Sequence, residues 1–167
     1  MKLTIRLKMY KLTRNRDQEK ISWPVSFLGY NCIVHSPGLF SLRKYGSNLV
    51  VNFLWYLFTF GKFKIVYLLD GNNVVHYSYI TPKTFRFPFM VENDIMVGPC
   101  FTNSKYRGKG IFTEVLRLIN SNYCDKDLWI CANLNNIASL RAFESSGYKF
   151  YSLAKISRLT KIVTLIE

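Results

Sequence analysis

Residues 94–102 carry a strand pattern, and the segment Lys105-Tyr106-Arg107-Gly108-Lys109-Gly110 follows almost at once. A helical pattern then begins directly: Ile111, Val115, Leu118 and Ile119 share one face, with Phe112 and Leu116 beside it. A strand that turns through glycines into a helix is an anion site in physical terms. Glycines let the backbone turn tightly and approach a ligand closely. The first-turn N–H groups have no intrahelical acceptor, and the helix dipole adds positive potential there. Lys105, Arg107 and Lys109 add formal charge. The bland alternative is a surface turn whose charges are solvated. The spacing excludes a P-loop, which needs G-x-x-x-x-G-K-[ST], and the dinucleotide fingerprint, which needs a third glycine.

The rest of the composition agrees with an anionic partner without naming it. The chain has 167 residues with 49% apolar content, which predicts one domain with a real core and excludes a disordered chain. Lys and Arg number 23 against 10 Asp and Glu, a net charge of +13. Nucleic acid, an anionic membrane face and a phosphorylated ligand are the three candidate partners. The basic residues are scattered, and no RNP, zinc-finger or helix-turn-helix pattern appears, which argues against nucleic acid. A basic module that binds nucleic acid without catalysis is the alternative reading; it requires steeply salt-dependent binding. Cys32, Cys100, Cys124 and Cys131 form no C-x-x-C pair, and neither His35 nor His76 stands at zinc-finger spacing from them. No metal site and free thiols are therefore expected. The basic N-terminus has no apolar run behind it, so no secretory signal and a cytoplasmic location are expected.

Further along the chain, residues 1–12 alternate loosely as a strand, and 13–46 hold turn formers at Pro24, Gly29, Pro37 and Gly38 between short apolar pieces. Ser47 is the expected cap of a helix ending at Gly61, built on the apolar stretch Leu49 to Phe60. That stretch is too short to span a bilayer, which takes ~20 residues. A buried helix is the preferred reading, and a peripheral membrane contact with the basic N-terminus is the other. Residues 63–70 and 74–80 predict a hairpin through Gly71-Asn72-Asn73. Leu128 to Ala132 predicts a buried strand. Asn135 or Asn136 then caps a helix with Leu140 and Phe143 inward and Gly147 at its end. Residues 148–153 and 159–166 predict a last strand pair.

Lys105 to Gly110 resembles motif A of the GNAT (Gcn5-related N-acetyltransferase) superfamily, written Q/R-x-x-G-x-G/A. Downstream, Asn136, Ser139, Phe143, Gly147 and Tyr148 fall at the spacing of a second family motif, separated from the first by the usual helix and strand. The resemblance covers residues 62–167; residues 1–61 match nothing in it. It implies an α/β (α+β) fold: a mixed central sheet of six to seven strands flanked by helices, splayed between its two central strands. Residues 62–167 would then be the acyl-CoA core and residues 1–61 the acceptor-side portion of one domain. The resemblance is looser to bacterial acetyltransferases associated with surface-polysaccharide biosynthesis, and rests there on the hairpin, residues 82–89 and Gly98-Pro99-Cys100.

The resemblance implies acetyl-CoA, or another acyl-CoA, as co-substrate and no metal. The backbone of Arg107 to Ile111, including Gly108, Lys109 and Gly110, would hold the pyrophosphate, with Lys105 and Tyr106 leading into it. Pro99, Cys100 and Phe101 would pair through their backbone with the pantetheine amides. Asn136 and Ser139 would contact the pantetheine or phosphate end, and Phe143 would pack beside the thioester. The implied reaction is direct attack by a small-molecule primary amine, with a base to remove its proton and a backbone N–H near Cys100 or Phe101 for the oxyanion.

Asp94 is the first candidate base, Glu92 the second and His76 the third; for Asp94 the other reading is a solvated carboxylate at the strand start. Two positions depart from the family pattern. Lys105 replaces Gln or Arg and loses the fork geometry. Phe143 stands where many relatives carry a proton-donating Tyr, so Tyr148, Ser139, water or no acid at all must serve. Cys100 reads as a small buried strand residue rather than a nucleophile, because no base stands beside it in sequence. The loop Pro82 to Phe89 mixes aromatics with Lys83 and Arg86, which can stack on sugar or base faces and meet a phosphate; a hydrophobic flap over the core is the other reading. The looser resemblance implies an amino sugar acceptor, nucleotide-linked in one version, which the positive loop would suit. A homodimer is compatible with the chain.

Overall fold

A computed structural model describes residues 4–15, 17, 20, 25–27 and 29–166. Pro24 and the first three residues of the expected N-terminal strand lie outside the described residues. The chain runs β1 (Thr4–Leu12), β2 (Val25–Phe27), β3 (Tyr30–His35), α1 (Leu49–Thr59), β4 (Lys64–Asp70) and β5 (Asn73–Pro82). It continues through β6 (Ile95–Thr102), α2 (Ile111–Asn122), β7 (Leu128–Asn133), α3 (Ile137–Ser145), β8 (Lys149–Ser157) and β9 (Val163–Ile166). One mixed sheet holds all nine strands, in the order β2-β3-β4-β5-β6-β7-β1-β8-β9. The expected six to seven strands become nine among the described residues because β2 and β3 come from the 13–46 stretch, where short apolar pieces gave no readable period.

Every neighbouring pair is antiparallel except β6 and β7. Those two run parallel and pair only over Ile95–Val97 and Leu128–Ile130. Beyond that point β6 stays with β5 as far as Thr102, and β7 stays with β1 as far as Asn133. The two central strands therefore splay, and among the described residues the edge of β6 that faces β7 has no strand partner from Gly98 onward.

Helices and loops cover both faces of the sheet, which sets the pattern of its central strands. On β4, Val66 and Leu68 join the core under α2 and α3, while Ile65, Tyr67 and Leu69 join the core under α1. Residues 65–69 are thus apolar without a break, and each buried aliphatic side chain contributes roughly 1.5–3 kcal/mol. The same alternation divides β7: Leu128, Ile130 and Ala132 face α2 and α3, and Trp129 faces the other way.

Helix α1 departs from expectation twice. Its cap is Asn48, whose Oδ1 accepts the Val51 N–H at 3.1 Å; Ser47 Oγ accepts the Lys44 N–H instead. The helix is also not buried as a whole. Asn52, Trp55 and Thr59 face inward, while Leu49, Val50, Val51, Phe53, Leu54, Leu57 and Phe58 are 36–66% exposed. The inward polar residues are satisfied: Asn52 Nδ2 donates to the Leu42 carbonyl at 2.5 Å, Asn52 Oδ1 accepts from the Tyr79 hydroxyl at 2.5 Å, and Thr59 donates to the Trp55 carbonyl at 2.6 Å. Among the described residues, no helix is long and apolar enough to cross a membrane.

Candidate functional site

The glycine loop follows β6 through a single 3-10 turn at Ser104–Tyr106. Side chains brace it from both sides. The Tyr106 hydroxyl donates to Asp70 Oδ2 at 2.9 Å, tying the loop to the β4–β5 hairpin. Arg107 Nε donates to the Thr102 carbonyl at 2.9 Å. Gly108 and Gly110 both have positive φ, +78° and +72°, and a Cβ on either would meet nothing within 4 Å. The conformation thus calls for glycine, and the space above the loop is open. Gly110 caps α2 without a side-chain hydrogen bond, so the first-turn amides of a 12-residue helix lack any side-chain acceptor at the cap.

Three cavities meet around the splay. The first, about 470 Å³, lies on the α2–α3 face and is lined by Arg107, Gly108, Gly110, Asn136, Ser139 and His76, among others. The second, about 510 Å³, is lined by Phe112 and Phe143 from that face and by Trp55, Arg86 and Phe87 from the α1 face. It therefore passes through the sheet at the splay, beside Gly98, Pro99 and Cys131. It shares Cys100, Phe112, Asn136 and Ser139 with the first. The third, about 480 Å³, is walled by Tyr45, Tyr67, Tyr77 and Tyr79 and shares Val51 and Pro99 with the second.

Ten of the sixteen sequence-identified residues line the first cavity: His76, Cys100, Phe101, Tyr106, Arg107, Gly108, Gly110, Ile111, Asn136 and Ser139. Pro99 and Phe143 line the second. Lys105 and Lys109 line none of the three; the Lys109 ammonium sits 5.7 Å above the Tyr106 ring. Asn136 caps α3, accepting the Ser139 N–H at 3.2 Å, which decides between Asn135 and Asn136.

The three candidate bases part company. Asp94 is buried rather than solvated; its Oδ2 accepts the Trp129 indole N–H at 2.7 Å and the Val91 N–H at 3.0 Å. Glu92 is exposed in the preceding turn. Neither lines a cavity, and no Asp or Glu is among the described residues that do. His76 does, and is fully buried in a hydrogen-bonded chain. Ser78 Oγ donates to Cys100 Sγ at 3.2 Å, so Ser78 accepts from His76 Nε2–H at 2.7 Å, and Nδ1 accepts the Thr102 hydroxyl proton at 2.7 Å. Burial lowers the His76 pKa to about 3, which makes the imidazole neutral and leaves Nδ1 as the acceptor. The chain ties β5 to the splayed part of β6. Burial also pushes Cys100 up to about 12 and Cys131 up to about 11, so neither is a thiolate near neutrality.

Two further observations concern the acid step. The Tyr148 hydroxyl donates to Asn120 at 2.8 Å, and Tyr148 lines no cavity. Phe143 is held edge-on between Tyr10 and Phe112, at 5.5 and 6.0 Å between centroids. Sequence reasoning missed Ser78 and Thr102 as partners of His76, although the period-2 spacing of His76 and Ser78 on one strand face was a usable signal. It also missed Trp55 and Cys131, for which no local signal exists.

Arg86 stands out in the second cavity. Its guanidinium lies 5.1 Å over the Trp55 ring and 5.5 Å over the Phe87 ring, and Nε donates to the Lys161 carbonyl at 3.3 Å. No carboxylate of the described residues pairs with it. Burial lowers its pKa, the mark of a charge partly stripped of water.

No protein-family model and no curated protein matches the sequence. Solved structures do. An acetyltransferase of the GNAT family from Colwellia psychrerythraea superposes with a TM-score of 0.57 at 12% identity, over 87% of this chain and 53% of its own. A GCN5-related N-acetyltransferase from Sphaerobacter thermophilus superposes at 0.55 with 13% identity, over 99% of this chain and 54% of its own. The chain thus spans little more than half the length of each. With the mixed sheet, the β6–β7 splay and the glycine loop opening α2, the superpositions establish that this chain has the GNAT acetyltransferase fold.

Proposed function

We propose that this chain is an N-acetyltransferase that moves an acetyl group from acetyl-CoA to a primary amine. One observation carries the reading: the glycine-loop cavity continues, through shared walls, into a passage that crosses the sheet at the splay. A donor can then lie on one face, with its thioester at the splay, and an acceptor can reach it from the other. Acetyl-CoA supplies an activated acyl group and a thiolate leaving group. The residues present suit it. The uncapped amides of α2, the open space over Gly108 and Gly110, and Arg107 would hold the pyrophosphate. The unpaired edge of β6 at Pro99–Phe101 would accept an extended amide chain as an added strand.

In this reading the acceptor amine arrives neutral. The described walls of the passage are mostly apolar, hold no carboxylate among them and carry the Arg86 cation, all of which disfavour an ammonium ion. A C–N bond forms as the C–S bond breaks, and the proton lost from nitrogen reaches the departing sulfur or water. Asp94 fixes the start of β6 through Trp129, and His76 fixes its splayed end; both position the strand and neither takes the proton. A thiol pKa of roughly 8.5 lets the thiolate leave without Tyr at position 143.

The acceptor is an amine that also bears an anionic group, and an amino sugar linked to a nucleotide fits best. Arg86 lines the passage with its guanidinium over the Trp55 ring and, among the described residues, donates only its Nε–H, to the Lys161 carbonyl, so its other N–H groups can meet a phosphate. The tyrosine-walled cavity next to it offers rings for a sugar or base to stack on. The test is release of free thiol from acetyl-CoA in the presence of amino sugars with and without a nucleoside diphosphate. Amine-dependent release, faster with the phosphorylated members, is expected. Absence of both thiol release and acetyl-CoA binding at millimolar concentration would overturn the proposal.

A further inference from the structure

Helix α1 is turned inside out relative to an ordinary surface helix. Asn52 and Thr59 face the sheet beside Trp55, while Leu49, Val50, Phe53, Leu54, Leu57 and Phe58 face outward. The apolar surface extends past the helix. Phe60 is 88% exposed at its C-terminal end. Phe85 is exposed and packs edge-on against Phe58 at 5.2 Å. Phe40 is fully exposed in the loop that Asn52 ties to α1 through the Leu42 carbonyl. An exposed apolar helix face of this kind marks a surface that something covers.

Charge identifies the cover. Arg43 and Lys44 precede the helix, Lys62 follows it, and Lys83 lies two residues before Phe85; all four are exposed. Between Lys20 and Leu69 the sequence contains no Asp or Glu, and between residues 71 and 91 it contains none either. A second copy of the chain would bring the same basic rim against itself, which costs affinity. An anionic bilayer is complementary to both parts of the surface: headgroups meet the basic rim, and the acyl boundary takes the outward side chains. A helix of 11 residues lies on such a surface and does not span it. We propose that α1 and its basic rim dock the protein on an anionic membrane, with the helix lying flat in the headgroup layer.

The proposal is independent of the acetyltransferase reading, and so is its test. The full chain is mixed with phosphatidylcholine vesicles, with or without 30% phosphatidylglycerol, and floated on a density gradient. The protein is expected to float with the anionic vesicles only, and to lose binding as salt rises. Each basic residue at the surface is worth roughly a five-fold factor, so the triple variant R43Q/K44Q/K62Q weakens binding on the order of 100-fold. The double variant L54D/L57D changes exposed side chains that line no cavity, so it keeps the wild-type circular dichroism spectrum but stays at the bottom of the gradient. Three results would overturn the proposal: no flotation of the wild-type protein with anionic vesicles, flotation that L54D/L57D leaves intact, or a micromolar dimer in sedimentation analysis that the same substitutions break.

Discussion

The splay opens on two faces of one sheet, and the faces are built from unlike materials. On the α2–α3 face the wall is largely backbone: two positive-φ glycines, an uncapped helix start and an unpaired strand edge, braced by short hydrogen bonds. On the α1 face it is side chains: Trp55, Phe87, four tyrosines and the one guanidinium of Arg86. Backbone groups recognise what every phosphate and amide share, so the first face suits a ligand of fixed chemistry. Rings and a single cation recognise one shape and one charge, so the second suits a particular acceptor. The two should therefore fail separately when mutated.

The largest effect is expected from Gly108→Glu. It forces a side chain onto a φ of +78° and sets a carboxylate in the open space over the loop. Acetyl-CoA affinity should fall by roughly 100-fold or more, as like charge against phosphate costs several kcal/mol, while the thermal midpoint drops only by the few degrees that about 1 kcal/mol of backbone strain costs, because nothing packs there. Calorimetric titration checks it. Next, Arg86→Gln should raise the KM of a phosphorylated amine by about 10- to 100-fold, the scale of a charge-assisted hydrogen bond, and leave acetyl-CoA affinity within about two-fold. Equal losses for both ligands would erase the distinction between the faces.

How far each face was legible in the sequence follows from the same contrast. Residues 100–111 and 136–143 are contiguous stretches whose glycines, capping Asn136 and helical period are local constraints, so the anion loop, both helices and the order of strands in the C-terminal half could be read directly. The α1 face gathers residues near positions 45–55, 67–79, 86–87, 96–99 and 163 through strand pairing alone. No local spacing records that Arg86 lies over Trp55. α1 misled for a related reason: an apolar run reads as buried, and only the contacts of Asn52 with Tyr79 and Leu42 reveal which side faces in. Asp94 stood at a plausible position for a base, but its partner Trp129 lies 35 residues away on the neighbouring strand.

A smaller effect belongs to His76. Its folded pKa of about 3 is below its unfolded value near 6.5, so the unfolded chain binds the extra proton between them. The stability it contributes is complete above about pH 6.5 and is lost as pH falls, at up to about 1.4 kcal/mol per unit. His35, also lowered by burial, adds to the same slope. Urea unfolding from pH 7 to pH 5 should show the loss, and His76→Gln should flatten the curve by the share of one proton. An unchanged slope would mean that the imidazole is not held neutral. Smallest of all, Phe143→Tyr places a hydroxyl beside the passage and should change kcat by less than about three-fold, because a thiolate leaves adequately without an acid. A ten-fold rise would show that protonation of the leaving group limits the reaction.

The central claim is that one passage through the sheet joins a donor face to a separate acceptor face. Titrating acetyl-CoA into the wild-type protein, Gly108→Glu and Arg86→Gln under identical conditions tests it most directly. Binding by the wild-type protein, none by Gly108→Glu and near-wild-type binding by Arg86→Gln is the predicted result. No binding by the wild-type protein at millimolar ligand, or a loss in Arg86→Gln as large as that in Gly108→Glu, would contradict it.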